Sequence, residues 1–177
     1  MMLSDDMPLA GTGRRLLCLV YEFVILFALS FVVLLIPMAI LPLFGQQANA
    51  AAEQHWAWRL LWLMLLGVNA WYLVRSWTRG GQTLAMRAWR MRLVTLSGQP
   101  VGHKQAIIRL ALGTLGYVTP LVMAIWSHAH PEGKPLLWSS LAFLAIMLGW
   151  AMLDKDRQFL HDRLAGTCIV RTPPLKK

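Results

Sequence analysis

The sequence predicts an all-α membrane protein with four transmembrane helices, both termini in the cytoplasm, and a short β element on the cytoplasmic side. Three observations predict it. The 177-residue chain is 57% hydrophobic and 14% charged, with a mean hydropathy of +0.51, more apolar than a soluble domain of this size sustains. Its apolar residues run in four long blocks, not in the short amphipathic segments of a soluble bundle. Its Lys and Arg residues flank those blocks unevenly.

A hydrocarbon layer of about 30 Å takes roughly 20 helical residues at about 1.5 Å each, and four blocks come near that length. The first covers residues 16–41, where Pro37 is expected to kink or end the helix and Pro42 follows. The others cover 58–74, 106–126 and 136–153. Arg14 and Arg15 followed by a small-residue run at 48–50 imitate a secretory signal. The apolar stretch between them far exceeds the roughly 7–15 residues of a signal core, so an uncleaved helix is expected.

Orientation follows from positive charge, which cytoplasmic loops retain. Arg14 and Arg15 precede the first block. Arg75, Arg79, Arg87, Arg90, Arg92 and Lys104 lie between the second and third, with Arg109 just inside the third. Lys155, Arg157, Arg163, Arg171, Lys176 and Lys177 follow the fourth, which leaves only Arg59 and Lys134 of the 17 basic residues for the other side. Tryptophans agree, since indole rings favour the interface: Trp56, Trp58, Trp126 and Trp138 fall at the outer boundary, Trp77 and Trp89 at the inner one. The net charge of +9 is therefore read as cytoplasmic flanks and not as a nucleic-acid surface. Cys18 and Cys168 have neither metal-site nor disulfide-framework spacing and are read as reduced thiols.

The connection 75–105 is too long for a simple turn between antiparallel helices. A short helix is expected over 83–89, with Leu84, Met86 and Trp89 toward lipid and Arg87 and Arg90 toward headgroups. Residues 91–96 read as a strand before the Ser97-Gly98 turn, and 167–171 as a second strand after Gly166 that pairs with it.

Glu22 is the residue most in need of explanation. It lies seven residues past Arg15, about 10 Å deeper along the helix, where an acidic group costs roughly 2.5–3.5 kcal/mol. Such groups face a bundle interior or a hydrated cavity, and the spacing puts Arg15, Cys18 and Glu22 on one stripe. Arg109 is the expected partner, and two readings stay open: a packing ion pair, or a proton or cation site. The sign-alternating run 154–163 is expected to continue the fourth helix and bring Asp154, Gln158 and Asp162 together, ending at a left-handed Gly166.

These residues resemble the RDD family of bacterial membrane proteins. Arg14-Arg15-Leu16 with Glu22 seven positions past Arg15 is similar to its opening motif, and Gly80-Gly81-Gln82-Thr83 to its glycine-rich segment. LHDRLAGT at 160–167 is similar to its closing motif, and Arg109 to an Arg early in its third helix. Glu22 replaces an expected Asp and Ala85 an expected Gly. The resemblance implies a family domain over 14–170 between a cytoplasmic tail at 1–13 and a basic tail at 171–177. It raises Arg15, Glu22 and Asp162 toward a functional role, with His161, Arg163, Gly166 and Thr167 forming the cytoplasmic motif. Transport is the role usually suggested for the family.

The expectation is a multi-pass protein of the bacterial inner membrane, a small transporter or ion-translocating protein for protons or monovalent cations. Four short helices leave little room for a pathway, which favours a homo-oligomer. Arg15, Glu22, Arg109 and Asp162 would form its charge network, while Arg87, Arg90 and Arg92 contact lipid headgroups. The alternative is a non-transporting assembly or stress-response protein that binds anionic lipid or a cytoplasmic partner through its basic loop and tail. No enzyme chemistry is expected, because no nucleophile triad, cysteine pair or phosphate loop is present. No cofactor, metal or nucleic acid is expected either, His128 and His130 lacking further ligands.

Overall fold

The computed structural model describes residues 9–40, 55–154 and 158–172. The run at 48–50, Pro42, the side chains of Trp56 and Trp58, and Lys155, Arg157, Lys176 and Lys177 lie outside the described residues. Four helical stretches are long and apolar enough to cross a membrane: Thr12–Ile40, Arg59–Arg79, His103–Ala129 and Pro131–Leu153. Little of any of them is buried within the chain, and large side chains such as Phe27, Ile125 and Trp138 stand exposed on their outer faces. Lipid is the solvent that such faces require.

Helix α1 (Thr12–Ile40) continues as helix through Pro37, because one lost hydrogen bond is tolerated in a membrane helix. Helix α2 (His55–Arg79) returns beside it. Midway, Asn69 Nδ2 donates to Ser30 Oγ at 2.9 Å and to the Leu65 carbonyl at 2.8 Å, tying the two helices inside the apolar layer. The third span consists of α3 (His103–Gly113), a π-helical turn (Thr114–Val118) and α4 (Thr119–Ala129). It starts earlier than its apolar block because Gln105 Oε1 accepts the Gly102 N–H at 3.2 Å and so caps the first turn. After a 3-10 turn (Pro131–Gly133), α5 (Lys134–Leu153) packs back along it. Gly116 permits the close approach: a Cβ there would overlap Met147, which is 1% exposed.

The connection after α2 is ordered. Gly81 has φ +67° and lies against the Leu93 carbonyl, so only glycine fits, and its own carbonyl accepts the Leu93 N–H at 2.7 Å. Gln82 Nε2 reinforces this by donating to the Met91 carbonyl at 2.7 Å. Thr83 then caps a short helix (Leu84–Ala88), its Oγ1 accepting the Met86 N–H at 3.2 Å. Leu84 is exposed as expected, but Met86 is buried. The short helix lies against α1, which turns Ala85 and Met86 into a core with Cys18, Leu73 and Trp77 and away from lipid.

Strand β1 (Met91–Thr95) pairs antiparallel with β2 (Thr167–Arg171), from Met91 opposite Arg171 to Thr95 opposite Thr167. Leu9 bridges Val170 on the free edge of β2, and the Ala10 N–H donates to the Ile169 carbonyl at 3.0 Å. Leu9, Ala10 and Arg171 thus take part in the sheet region as well. Asp154 and the described residues 158–163 do not continue the fourth span. Helix α5 stops at Leu153 and Asp154 turns extended, its carboxylate accepting the Gln158 N–H at 3.0 Å; a separate short helix follows at Leu160–Leu164. The Gln158 N–H donating to that carboxylate replaces the i, i+4 stack, and Gly166 at φ +66° precedes β2.

Replacing Gly116 by Leu should displace Met147 and separate the third span from α5. A loss of about 1–3 kcal/mol is expected, read as a lower thermal midpoint in detergent, whereas Gly149→Leu, with open space at its Cβ, should leave the midpoint near wild type.

Candidate functional site

Three of the four spans, the connection after α2 and the terminal segment meet at the basic end of the molecule around a cavity of about 140 Å³, room for several water molecules. Helix α1 supplies Arg15, Cys18 and Glu22 from one stripe, and the third span supplies Arg109 and Tyr117. His161 and Ile169 close it from the terminal segment, and Trp77 from α2.

Arg109 forms an ion pair with Asp162, both buried, and its Nη1 also donates to Thr167 Oγ1 at 3.4 Å. Thr167 Oγ1 in turn donates to the Asp162 carbonyl at 3.3 Å, closing a loop between side chains and backbone. The Arg109 guanidinium sits 5.2 Å over the Trp77 ring, a cation–π contact that covers one face of the charge. Arg15 Nη2 donates to the Ile169 carbonyl at 3.3 Å and so pins α1 to β2.

Glu22 takes different partners from the expected Arg109. Its Oε2 accepts from Thr83 Oγ1, and Tyr72 stands beside the same carboxylate while its hydroxyl accepts the Leu84 N–H at 3.1 Å. The other oxygen, Oε1, is buried without a hydrogen-bond partner among the described residues. Arg109 still acts on Glu22 electrostatically across the cavity. Arg15, Glu22, Arg109 and Asp162 are thus brought around one site, with Arg109 paired to Asp162 and Glu22 held from the glycine-rich connection.

His161 links the ion pair to the third span. Its Nε2 lies 3.3 Å from Asp162 Oδ1 and its Nδ1 3.2 Å from the Tyr117 hydroxyl, with Phe159 stacked on the ring. Burial first, then the Arg109 and Arg15 charges, hold its pKa well below 6.5. With Nδ1 accepting from the Tyr117 hydroxyl, the neutral ring carries its proton on Nε2, the nitrogen 3.3 Å from Asp162 Oδ1.

Other residues of the motif act at the margin. Arg163 is exposed, with Nε 3.9 Å from Asp154. Arg87, Arg90 and Arg92 are exposed on the outside of the connection. Arg92 Nε donates to the Gly80 carbonyl at 3.1 Å, and Arg90 adopts φ +52° where a left-handed residue ends the short helix. Both cysteines are buried, Cys18 at the cavity and Cys168 in β2, where its Sγ donates to the Thr95 carbonyl at 3.6 Å. Thr83, Tyr117 and Trp77 were not singled out as site residues. Thr83 carried a capping signal in its position before the short helix, whereas Tyr117 carried none.

Four membrane-crossing helices closed at one end by a buried charge cluster and a small sheet define a small polytopic membrane protein. Residues 9–166 match the RDD family, and the chain belongs to it. No curated protein and no solved structure matches the chain.

Removing one member of the buried pair leaves the other charge uncompensated, so Asp162→Asn or Arg109→Gln should each cost about 3–5 kcal/mol of stability in detergent. The double variant should cost less than the sum of the two, which a double-mutant cycle on thermal or denaturant unfolding reads directly. A pH dependence follows from His161. The unfolded ring takes up a proton near pH 6.5 and the folded ring does not, so stability is complete above that pH and falls as pH drops below it. The slope contributed should approach about 1.4 kcal/mol per pH unit, and His161→Gln should remove it.

Proposed function

We propose that the protein is a small ion-translocating protein of the bacterial inner membrane, with its basic end in the cytoplasm and Glu22 as the group that binds a proton or a monovalent cation. The observation that carries this reading is the cavity at Glu22, which combines a buried carboxylate oxygen that has no hydrogen-bond partner among the described residues with room for water beside a membrane span. A carboxylate is tolerated there only where something polar meets it. Thr83 holds one oxygen while the other is left to take up a proton or contact a cation. Arg109 and Asp162 stay paired, so the charge exchanged falls on Glu22.

A single bundle this thin offers little enclosed path, so the working unit is a homo-oligomer. The exposed Arg87, Arg90 and Arg92 hold its rim at anionic headgroups, each contributing about 1 kcal/mol. This reading assigns the chain no covalent chemistry and no cofactor.

Purified protein in liposomes under an imposed ion gradient should carry a flux of protons or monovalent cations that Glu22→Gln lowers at least tenfold while the thermal midpoint stays within a few degrees. A wild-type flux no greater than that of empty liposomes, or an unchanged flux in the variant, sinks the proposal.

A further inference from the structure

The π-helical turn at Thr114–Val118 has a geometric consequence at the cavity. In an unbroken α-helix Tyr117, eight residues after Arg109, would point about 80° away from it. A π turn accommodates one extra residue, which brings the two to within about 20° of the same face. Both side chains accordingly line the cavity, as does Glu22 on α1. Tyr117 is held there by an edge contact with Phe23, ring centroids 6.2 Å apart, and its hydroxyl meets His161 Nδ1 at 3.2 Å. The irregular turn thus puts a phenol and an imidazole in hydrogen-bond contact at the wall of a cavity that Glu22 also lines.

We propose that Tyr117 and His161 are the second proton-binding station of this cavity, receiving the proton that Glu22 releases. The inference rests on the ion-translocating reading and narrows its cargo to protons. In the step proposed, the O–H bond of protonated Glu22 breaks and its proton passes through water in the cavity to the Tyr117 oxygen. The Tyr117 proton moves at the same time to His161 Nδ1. One O–H bond is lost and one N–H bond forms. Carboxylic acid and imidazole become carboxylate and imidazolium, and the summed charge of the cavity is unchanged.

The groups facing the imidazolium make it short-lived. Asp162, on its own segment, favours the cation, while Arg109 from the third span and Arg15 from α1 oppose it. It therefore gives one N–H proton up to water and returns to the neutral ring. Apolar packing alone would be served equally well by Phe at 117, which keeps the ring contact with Phe23 and lacks only the hydroxyl.

That difference is the test. Proton flux is measured in liposomes with a pH-sensitive dye for the full-length wild type, Tyr117→Phe, His161→Gln and the double variant, alongside Glu22→Gln. Nitrogen-15 spectra of histidine-labelled protein give the His161 tautomer. Tyr117→Phe and His161→Gln should each lower the flux at least tenfold, and the double variant no further, because the two act in one step. Wild type should show the Nε2–H tautomer, with Nδ1–H gaining population in Tyr117→Phe. A Glu22-dependent wild-type flux that Tyr117→Phe carries within twofold overturns this inference and leaves the function proposed above intact. A wild type with no Glu22-dependent flux overturns both.

Discussion

The buried Arg109–Asp162 pair is the interaction on which the basic end of the molecule depends. It joins the third span to the terminal segment, whose Phe159, Cys168, Ile169 and Val170 are buried alongside it. A guanidinium and a carboxylate taken out of water are tolerable only when each satisfies the other and the remaining polar atoms find partners. Thr167, His161 and the Trp77 face supply some of these contacts, Arg109 Nε and Asp162 Oδ2 having no hydrogen-bond partner among the described residues, and the strand that follows Asp162 is fixed in position by the same cluster.

From that anchored strand the rest of the basic end is assembled. β2 is the inner strand of a minimal sheet, paired with β1 on one edge and bridged by Leu9 on the other. Its Ile169 carbonyl accepts from both the Ala10 N–H and Arg15, which fixes the entry of α1. β1 is held in turn by the Gly80–Gly81 turn at the end of α2, and the same connection delivers Thr83 to Glu22. Elements far apart in the chain thus converge on one small volume, and each membrane span is attached at its basic end. Lipid can then cover the outer faces, since the apolar blocks do not have to bury one another to be stable.

Much of this was legible in the sequence because membrane physics leaves few choices. A block of twenty apolar residues is a span wherever it occurs, and Gly81 and Gly166 mark left-handed turns that other residues enter only with strain. Glu22 stood out because an acidic group in such a block needs a reason. Its partner was not legible. Arg109 and Thr83 both lay within plausible reach, and helical spacing fixes which residues share a stripe but not which stripe of another helix they meet.

The chain's own residues determined four spans, the side on which positive charge gathers, the two strands and the charged residues worth examining, since hydropathy, charge and turn chemistry are local properties. Tertiary structure alone decided that Arg109 pairs with Asp162, that Met86 turns inward, that the fourth span breaks at Asp154, and that Tyr117 reaches the cavity. The first three depend on which neighbours are packed alongside. The last depends on a π turn, a one-residue shift of helical phase that no periodic pattern in the amino acids announces.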